Sequence, residues 1–200
     1  MAGARLLVAS SNRHKLEEFR ELAAGSGLLL DSLPGFDVLA AFDETAETLA
    51  ENAAGKAIHY SRGTAEWVMA DDSGLVVPAL GGAPGVRSSR YAGPEGDAGK
   101  NIRKLLDALA GKKGRDREAR FVCVLALGRA GRVEAVFSGA VEGTILEAPR
   151  GAGGFGYDPV FSHEPAGKTF AELPREEKNR LSHRGRAFRK LVAYLTENPL

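Results

Sequence analysis

The chain has 200 residues, enough to bury one substantial core, and its 44% hydrophobic and 26% charged residues are proportions of an ordinary globular protein. With 27 basic residues against 26 acidic ones the net charge is +1, which argues against a general nucleic-acid binder and leaves room for a local basic pocket that takes a small polyanion. The single cysteine, Cys123, excludes an internal disulfide framework, and its setting in FVCVLAL reads as a buried structural thiol.

The N-terminal apolar run is too short for a signal peptide and no later run approaches membrane-spanning length, so a cytoplasmic protein with no membrane partner is expected. Leu6 to Ala9 reads as a buried strand, followed by the polar turn Ser10, Ser11, Asn12 and a helix with Leu16, Phe19, Leu22 and Ala23 on one face. Glu17, Glu18, Arg20 and Glu21 take its other side, and Gly25 and Gly27 close it. Capped by Ser11 or Asn12 and carrying Arg13, His14 and Lys15 in its first turn, this helix start suits either a phosphate or a plain N-cap. It is not a Walker loop, because GxxxxGK[ST] is absent.

Leu28 to Asp37 can supply a second strand, interrupted by Pro34 and Gly35, before an acidic segment with Asp43 and Glu44. Thr48 and Glu51 form a capping box for a helix to about Tyr60, whose mixed face carries Leu49, Asn52, Ala53, Lys56 and Tyr60. Lys56 therefore either snorkels over apolar surface or faces a pocket. The next apolar run, Trp67 to Ala70, ends abruptly on Asp71 and Asp72, which point to opposite faces if a strand continues through them. Ser73 and Gly74 suit a tight turn after that strand, so the stretch reads either as a solvated junction or as a strand edge carrying a site.

Asp97 caps a scaffold helix with Ile102, Leu105, Leu106 and Leu109 as its apolar stripe, and Gly111 to Arg120 reads as a charged, solvated loop. Ala119 to Leu127 and Arg132 to Ser138 read as an antiparallel hairpin, with Val141 to Leu146 extending or following it. The segment GAGGFGYDPVF contains a literal GxGxxG, but Pro159 disfavours the helix that a dinucleotide fingerprint requires at that point. Phe155, flanked by glycines, either stacks on a flat ligand or plugs the core beneath the loop. Leu173 to Leu181 reads as a short helix with Lys178, and Ser182 caps a longer one with Phe188, Leu191, Val192 and Leu195 inward and His183 and Arg184 in its first turn. Cations there oppose the helix dipole, a rule broken more often at functional sites.

Taken together and in order, SSNRHK, ENAAGKA, ADDSGLVVPALGGAPGVRSSRYAG, GGFGYDPVF, REEK and SHRG resemble the Ham1-type inosine/xanthosine triphosphate pyrophosphatases, from Val8 to about Arg186. The family usually has Thr-Gly-Asn where this chain has Ser10-Ser11-Asn12, so the first hydroxyl is kept and the glycine is not. The resemblance implies one two-lobed α/β domain over residues 1–200, with a long mixed sheet flanked by helices and the active site in the cleft between the lobes. It implies hydrolysis of ITP, dITP and XTP to the monophosphate and pyrophosphate with Mg²⁺, by a cytoplasmic homodimer acting on a small nucleotide rather than on nucleic acid. Carried onto matching positions, Asp72 is the general base and a metal ligand, with Glu44 or Asp43 as the second ligand. Ser10, Ser11, Asn12, Arg13, His14, Lys15 and Lys56 match the phosphate contacts, and Ser73 matches a substrate contact. Phe155, Gly156, Tyr157, Asp158, Lys178, His183 and Arg184 match the nucleotide- and base-contacting set.

Overall fold

Short apolar runs alternating with amphipathic ones make an α/β protein, and a computed structural model describes residues 4–199 of it. Strand β1 (Ala4–Ala9) leads through helix α1 (Arg13–Ala23) to β2 (Leu28–Ser32), and α2 (Leu49–Ser61) leads back to β3 (Val68–Val76). Then come α3 (Ala98–Ala108), β4 (Glu118–Arg129), β5 (Arg132–Ile145), β6 (Phe161–His163), β7 (Lys168–Thr169), α4 (Arg175–Leu181) and α5 (His183–Glu197). Among the described residues seven strands form one mixed sheet in the order β2-β1-β3-β4-β5-β6-β7. The pairs β1·β2 and β1·β3 are parallel, while β5·β6 and β6·β7 are antiparallel.

The order β2-β1-β3 has a consequence for every residue placed on these strands. The crossover through α1 leaves β1 in one direction and the crossover through α2 returns in the other, and because both are right-handed the two helices cover opposite faces of the sheet. Strand alternation then sorts the side chains. Leu6, Val8, Leu30, Met69, Cys123, Leu125 and Leu127 share a core with Phe19 and Ala23 of α1 and with Ala187, Phe188, Leu191 and Leu195 of α5. Leu7, Val68 and Ala70 have the other parity and are buried on the α2 side, where Ala53 and Ala57 are fully buried.

The chain forms two compact units. One takes the chain through Asp72, then Cys123–Gly139 and the segment from His183 onward, and holds the core just described. The other, Ser73–Val122 with Ala140–Ser182, packs Leu75, Val77, Leu105, Leu109, Phe121, Ile145, Phe161 and Phe170 together.

Several expected boundaries shift for local reasons. The second strand stops at Ser32 rather than reaching Asp37, since Pro34 has no amide for the ladder and Gly35 turns left-handed (φ 67°) into a 3₁₀ turn over Phe36–Val38. Of the two readings for Val141 to Leu146 the structure has the extension: it continues the hairpin's second arm as one strand, β5, and Gly139 lets that strand pass beneath α5, since a Cβ there would overlap the His183 carbonyl oxygen. Consecutive adjacent strands joined by two residues must be antiparallel, and Ala130 (φ 49°) and Gly131 (φ 75°) supply the two left-handed residues of such a turn between β4 and β5. The short C-terminal helix begins at Arg175, with Pro174 at its N-cap, and the charged 111–120 loop is exposed apart from Lys112, Arg117 and Ala119.

The largest correction concerns Ser73 and Gly74. They do not turn; β3 runs straight through them to Val76. Gly74 is required for a different reason, because a Cβ would overlap the Gly85 carbonyl oxygen and crowd Ser88 Oγ at 3.0 Å. Ser88 Oγ in turn accepts from Leu75 N (2.8 Å) and donates to the Gly85 carbonyl (2.6 Å), closing a buried network at the close approach. Gly74→Ala is therefore expected to destabilise the fold by about 1–3 kcal/mol, the usual range for overpacking. Gly63→Ala, where nothing lies within 4 Å of an added Cβ, is the matched control; urea unfolding of both variants reads the difference, and equal midpoints would remove the close-approach explanation.

Candidate active site

In a parallel sheet the carboxyl ends of strands whose connections depart in opposite directions leave a crevice, and β1 and β3 are such a pair. Ala9 lies opposite Ala70, so the loop that follows β1 and the carboxylates that follow Ala70 come to the same place. Alternation gives each carboxylate its own face and its own helix. Asp71 has the parity of Met69 and meets Lys15 of α1, with Nζ 2.7 Å from Oδ2. Asp72 has the opposite parity and meets Lys56 of α2 at 3.0 Å. Lys56 Nζ is also 2.8 Å from Glu44 Oε1, so one ammonium joins two carboxylates.

The local structure behind each lysine follows from capping. Asn12 Oδ1 accepts from Lys15 N (3.2 Å) and Ser10 Oγ accepts from Asn12 N (3.3 Å), which starts α1 directly after the turn. Thr48 Oγ1 accepts from Glu51 N and donates to Glu51 Oε2, fixing the start of α2. Gly55, one residue before Lys56, is where the Phe42 ring packs against the helix, leaving no room for a Cβ and bringing the 42–44 segment up to Lys56.

These charges are buried: Asp71 is 2% exposed, Asp72 6% and Lys56 8%. Burial pushes the Asp71 carboxyl up, but Lys15, Arg184 and Lys56 outweigh it and hold the pKa down to about 2. Asp72 goes the other way, raised by burial and by Glu44 against the pull of Lys56 and Lys15. Burial works against the Lys56 ammonium, yet Asp71, Asp72 and Glu44 together raise its pKa and keep it charged. Two neighbouring carboxylates are thus pushed apart, one fixed as an anion and the other closer to neutrality, the pattern of an acid–base site.

Asp72 carries one further feature. Its Oδ1 is bonded to Lys56, while Oδ2 is buried with no hydrogen-bond partner among the described residues. Among those residues no group of three or more His, Cys, Asp or Glu side chains is placed to hold a metal alone. Glu44 and Asp72 nonetheless fit a hard cation such as Mg²⁺, which takes one or two carboxylates and completes its shell with water and substrate oxygens. Asp43, the other candidate, is exposed and its carbonyl accepts from Thr45 N.

In the second unit the glycine-rich segment opens no helix; it is a loop tied together by Asp158. Asp158 Oδ2 accepts from Phe155 N (2.8 Å) and from Lys178 Nζ (2.6 Å), and Lys178 Nζ lies 4.8 Å from the Phe155 ring centroid. Phe155 is only half-buried, whereas Tyr157 is buried and donates its hydroxyl to the Ser88 carbonyl (2.9 Å). Burial together with Tyr91 pushes the Tyr157 pKa well above the ordinary phenol range, so the group stays a donor.

Lys15, Lys56, Asp72 and Glu44 are thus gathered in the first unit, and Phe155, Tyr157, Asp158 and Lys178 in the second. Arg13, His14, Ser11 and Asn12 lie exposed at the α1 start, Ser73 is half-buried in β3, and Gly156 is left-handed (φ 61°) in the loop. Arg184 is 2% exposed, ion-paired with Glu18 and 5.7 Å from the Phe19 ring centroid. Glu18 does not share the exposure of Glu17, Arg20 and Glu21 on the helix's other side; it is buried. Its spacing of three from Lys15 and four from Leu22 is the signal that puts it beside the inward face.

The Ham1 family model matches residues 6–194. A dITP/XTP pyrophosphatase of Gloeobacter violaceus is 50% identical over 94% of this chain and 92% of its own length. One of Thermus thermophilus is 45% identical over 100% of this chain and 95% of its own. Among solved structures, a Ham1 protein from Coxiella burnetii superposes with a TM-score of 0.87 at 41% identity, covering 97% of this chain and 99% of that one. The Staphylococcus aureus Ham1 protein gives 0.86 at 36% identity, with the same coverage. Sequence and fold agree over nearly the whole length, and the chain belongs to the Ham1 family.

Proposed function

We propose that this chain hydrolyses ITP, dITP and XTP to the monophosphate and pyrophosphate, using Mg²⁺, and so removes these nucleotides from the pool. Family membership supports the reaction class. The observation that carries the chemistry is the open Oδ2 of Asp72, a buried carboxylate oxygen with no donor among the described residues, beside two lysines. A buried acceptor left in this state costs free energy unless water, a metal or substrate fills it.

Each residue then has a role that its surroundings suit. Water attack on the α-phosphorus must overcome repulsion from a polyanion, and Lys15 and Lys56 supply fixed positive charge against it. Asp72 orients the water and accepts its proton, and Lys56 keeps Asp72 and Glu44 in place as the pair that would hold the metal. Mg²⁺, when bound, supplies charge neutralisation and polarises phosphate oxygens. Asp71, anionic and bonded to Lys15, fixes that lysine's direction; Ser10 to Lys15 and Ser73 make the remaining phosphate-side contacts. Phe155, half-buried in its glycine-rich loop, stacks on the base. A donor from the His183–Arg184 turn to the 6-oxo group separates ITP from ATP, whose amino group is itself a donor. The same proposal treats residues 1–200 as one two-lobed domain that works as a cytoplasmic homodimer on free nucleotides; among the described residues no helix is long and apolar enough to cross a membrane.

Incubation with Mg²⁺ and ITP, dITP, XTP, ATP, GTP or dTTP, with pyrophosphate and orthophosphate assayed separately, should give pyrophosphate from the first three. Orthophosphate alone would exclude attack at the α-phosphorus, and tight binding without turnover would point to a nucleotide-binding regulator. Asp72→Asn should abolish turnover while the circular dichroism spectrum stays native; normal activity would remove Asp72 from the mechanism. Phe155→Ala should weaken nucleotide binding by about 1–3 kcal/mol, the range for loss of one base–aromatic stack. Lower stability with unchanged affinity would instead make Phe155 a core plug.

A further inference from the structure

The 111–120 segment reads as a solvated charge run, yet Arg117 within it is 7% exposed and has no carboxylate partner among the described residues. Its guanidinium is satisfied by main-chain carbonyls. Nε donates to Ile145 O (2.6 Å), Nη2 to Leu146 O (2.7 Å), and Nη1 to Leu109 O (3.0 Å) and Lys112 O (3.4 Å). Leu109 is the C-cap of α3, where unpaired carbonyls and the negative end of the helix dipole welcome a cation. Ile145 is the last residue of β5, and Leu146 begins the loop that carries Phe155, Tyr157 and Asp158.

The neck of that loop is narrow. Leu146 N donates to Val160 O (2.8 Å) and Arg150 N to Pro159 O (2.8 Å), so the residues between depart and return through these pairs. Arg117 grips the carbonyls on the departing side and ties them to the end of α3. A guanidinium spans such a set because its five donors are spread over a rigid plane; an ammonium has three donors on one nitrogen, too few and too close together to hold all four carbonyls.

We propose that Arg117 is a positioning residue for the 146–160 loop, setting the height and direction from which Phe155 and Asp158 are presented. The inference rests on the reading of that loop as the base-contacting segment. Loss of the grip then changes how well nucleotide binds and leaves the carboxylate–lysine chemistry untouched.

Arg117→Lys and Arg117→Ala test this with ITP as the probe. Both should raise KM roughly 10- to 100-fold, the scale of a small misplacement of a contact, with kcat nearly unchanged. Amide hydrogen exchange without nucleotide should show Leu146 and Val160 losing protection while amides in β1 keep theirs, and methylguanidinium should restore KM in Arg117→Ala. Wild-type KM in both folded variants, or KM and kcat worsening only as far as the fraction unfolded dictates, would overturn the proposal. Native protection at Leu146 and Val160 in Arg117→Ala would overturn it as well. Should the unmodified protein fail to hydrolyse ITP, the functional reading falls, and the exchange result still decides whether Arg117 holds the loop.

Discussion

Everything in the candidate active site depends on the path of β3 through two successive carboxylates. A strand alternates its side chains, so Asp71 and Asp72 must leave on opposite faces, and because the strand order β2-β1-β3 places α1 and α2 on opposite faces, each acid meets a lysine from a different helix. Had the chain turned at Ser73 and Gly74, neither constraint would apply: the acids could both face solvent and the two lysines would have no reason to be where they are. The close approach of Gly74 to the Gly85 carbonyl keeps the strand extended past the pair, which makes a glycine outside the site a condition for its geometry.

Stability alone does not explain such an arrangement. Buried ion pairs replaced by well-packed apolar side chains are often neutral or more stable, whereas removing one partner costs about 3–5 kcal/mol. Three lysine–carboxylate contacts at the carboxyl ends of two parallel strands, in a unit whose neighbouring positions are Val68, Met69 and Ala70 at 0% exposure, are therefore a poor way to make a core. They make sense as a charge set kept out of water so that a further group can complete it.

Much of this is legible in the sequence, and the illegible part has a physical cause. The abrupt change from Ala70 to Asp71, the mixed face carrying Lys56 and the cap at Ser11 or Asn12 are local patterns that each leave two readings; the structure puts Asn12 at the cap and sets Asp71 and Asp72 against Lys15 and Lys56. What local pattern cannot supply is a partner far along the chain. Asp-Asp-Ser-Gly has the chemistry of a turn, and the residue that overrules it is Gly85. Glu18 looks solvent-facing until Arg184, 166 positions away, is folded against it. Arg117 sits in a run of charges that mark a surface loop in every respect except that carbonyls 28 and 29 residues later need its donors. Asp43 and Glu44 are a similar case, since adjacent acids in an irregular segment have no periodicity to tell them apart, and it takes the fold to pair Glu44 with Lys56.

The two units use an aspartate in contrasting ways, and the contrast separates organising groups from reacting ones. Asp158 spends Oδ2 on the Phe155 amide and the Lys178 ammonium, so its charge is already committed to holding a loop and orienting an aromatic ring. Asp72 has one oxygen held by Lys56 and the other without a partner among the described residues, and burial pushes its pKa up rather than down. A carboxylate that is fully engaged can position but has little left with which to take a proton; one that is anchored at a single oxygen can do both. By that contrast Asp71, drawn down to about 2 and bonded to Lys15, stands with Asp158 among the engaged carboxylates, which supports proposing Asp72 rather than Asp71 as the group that takes the proton.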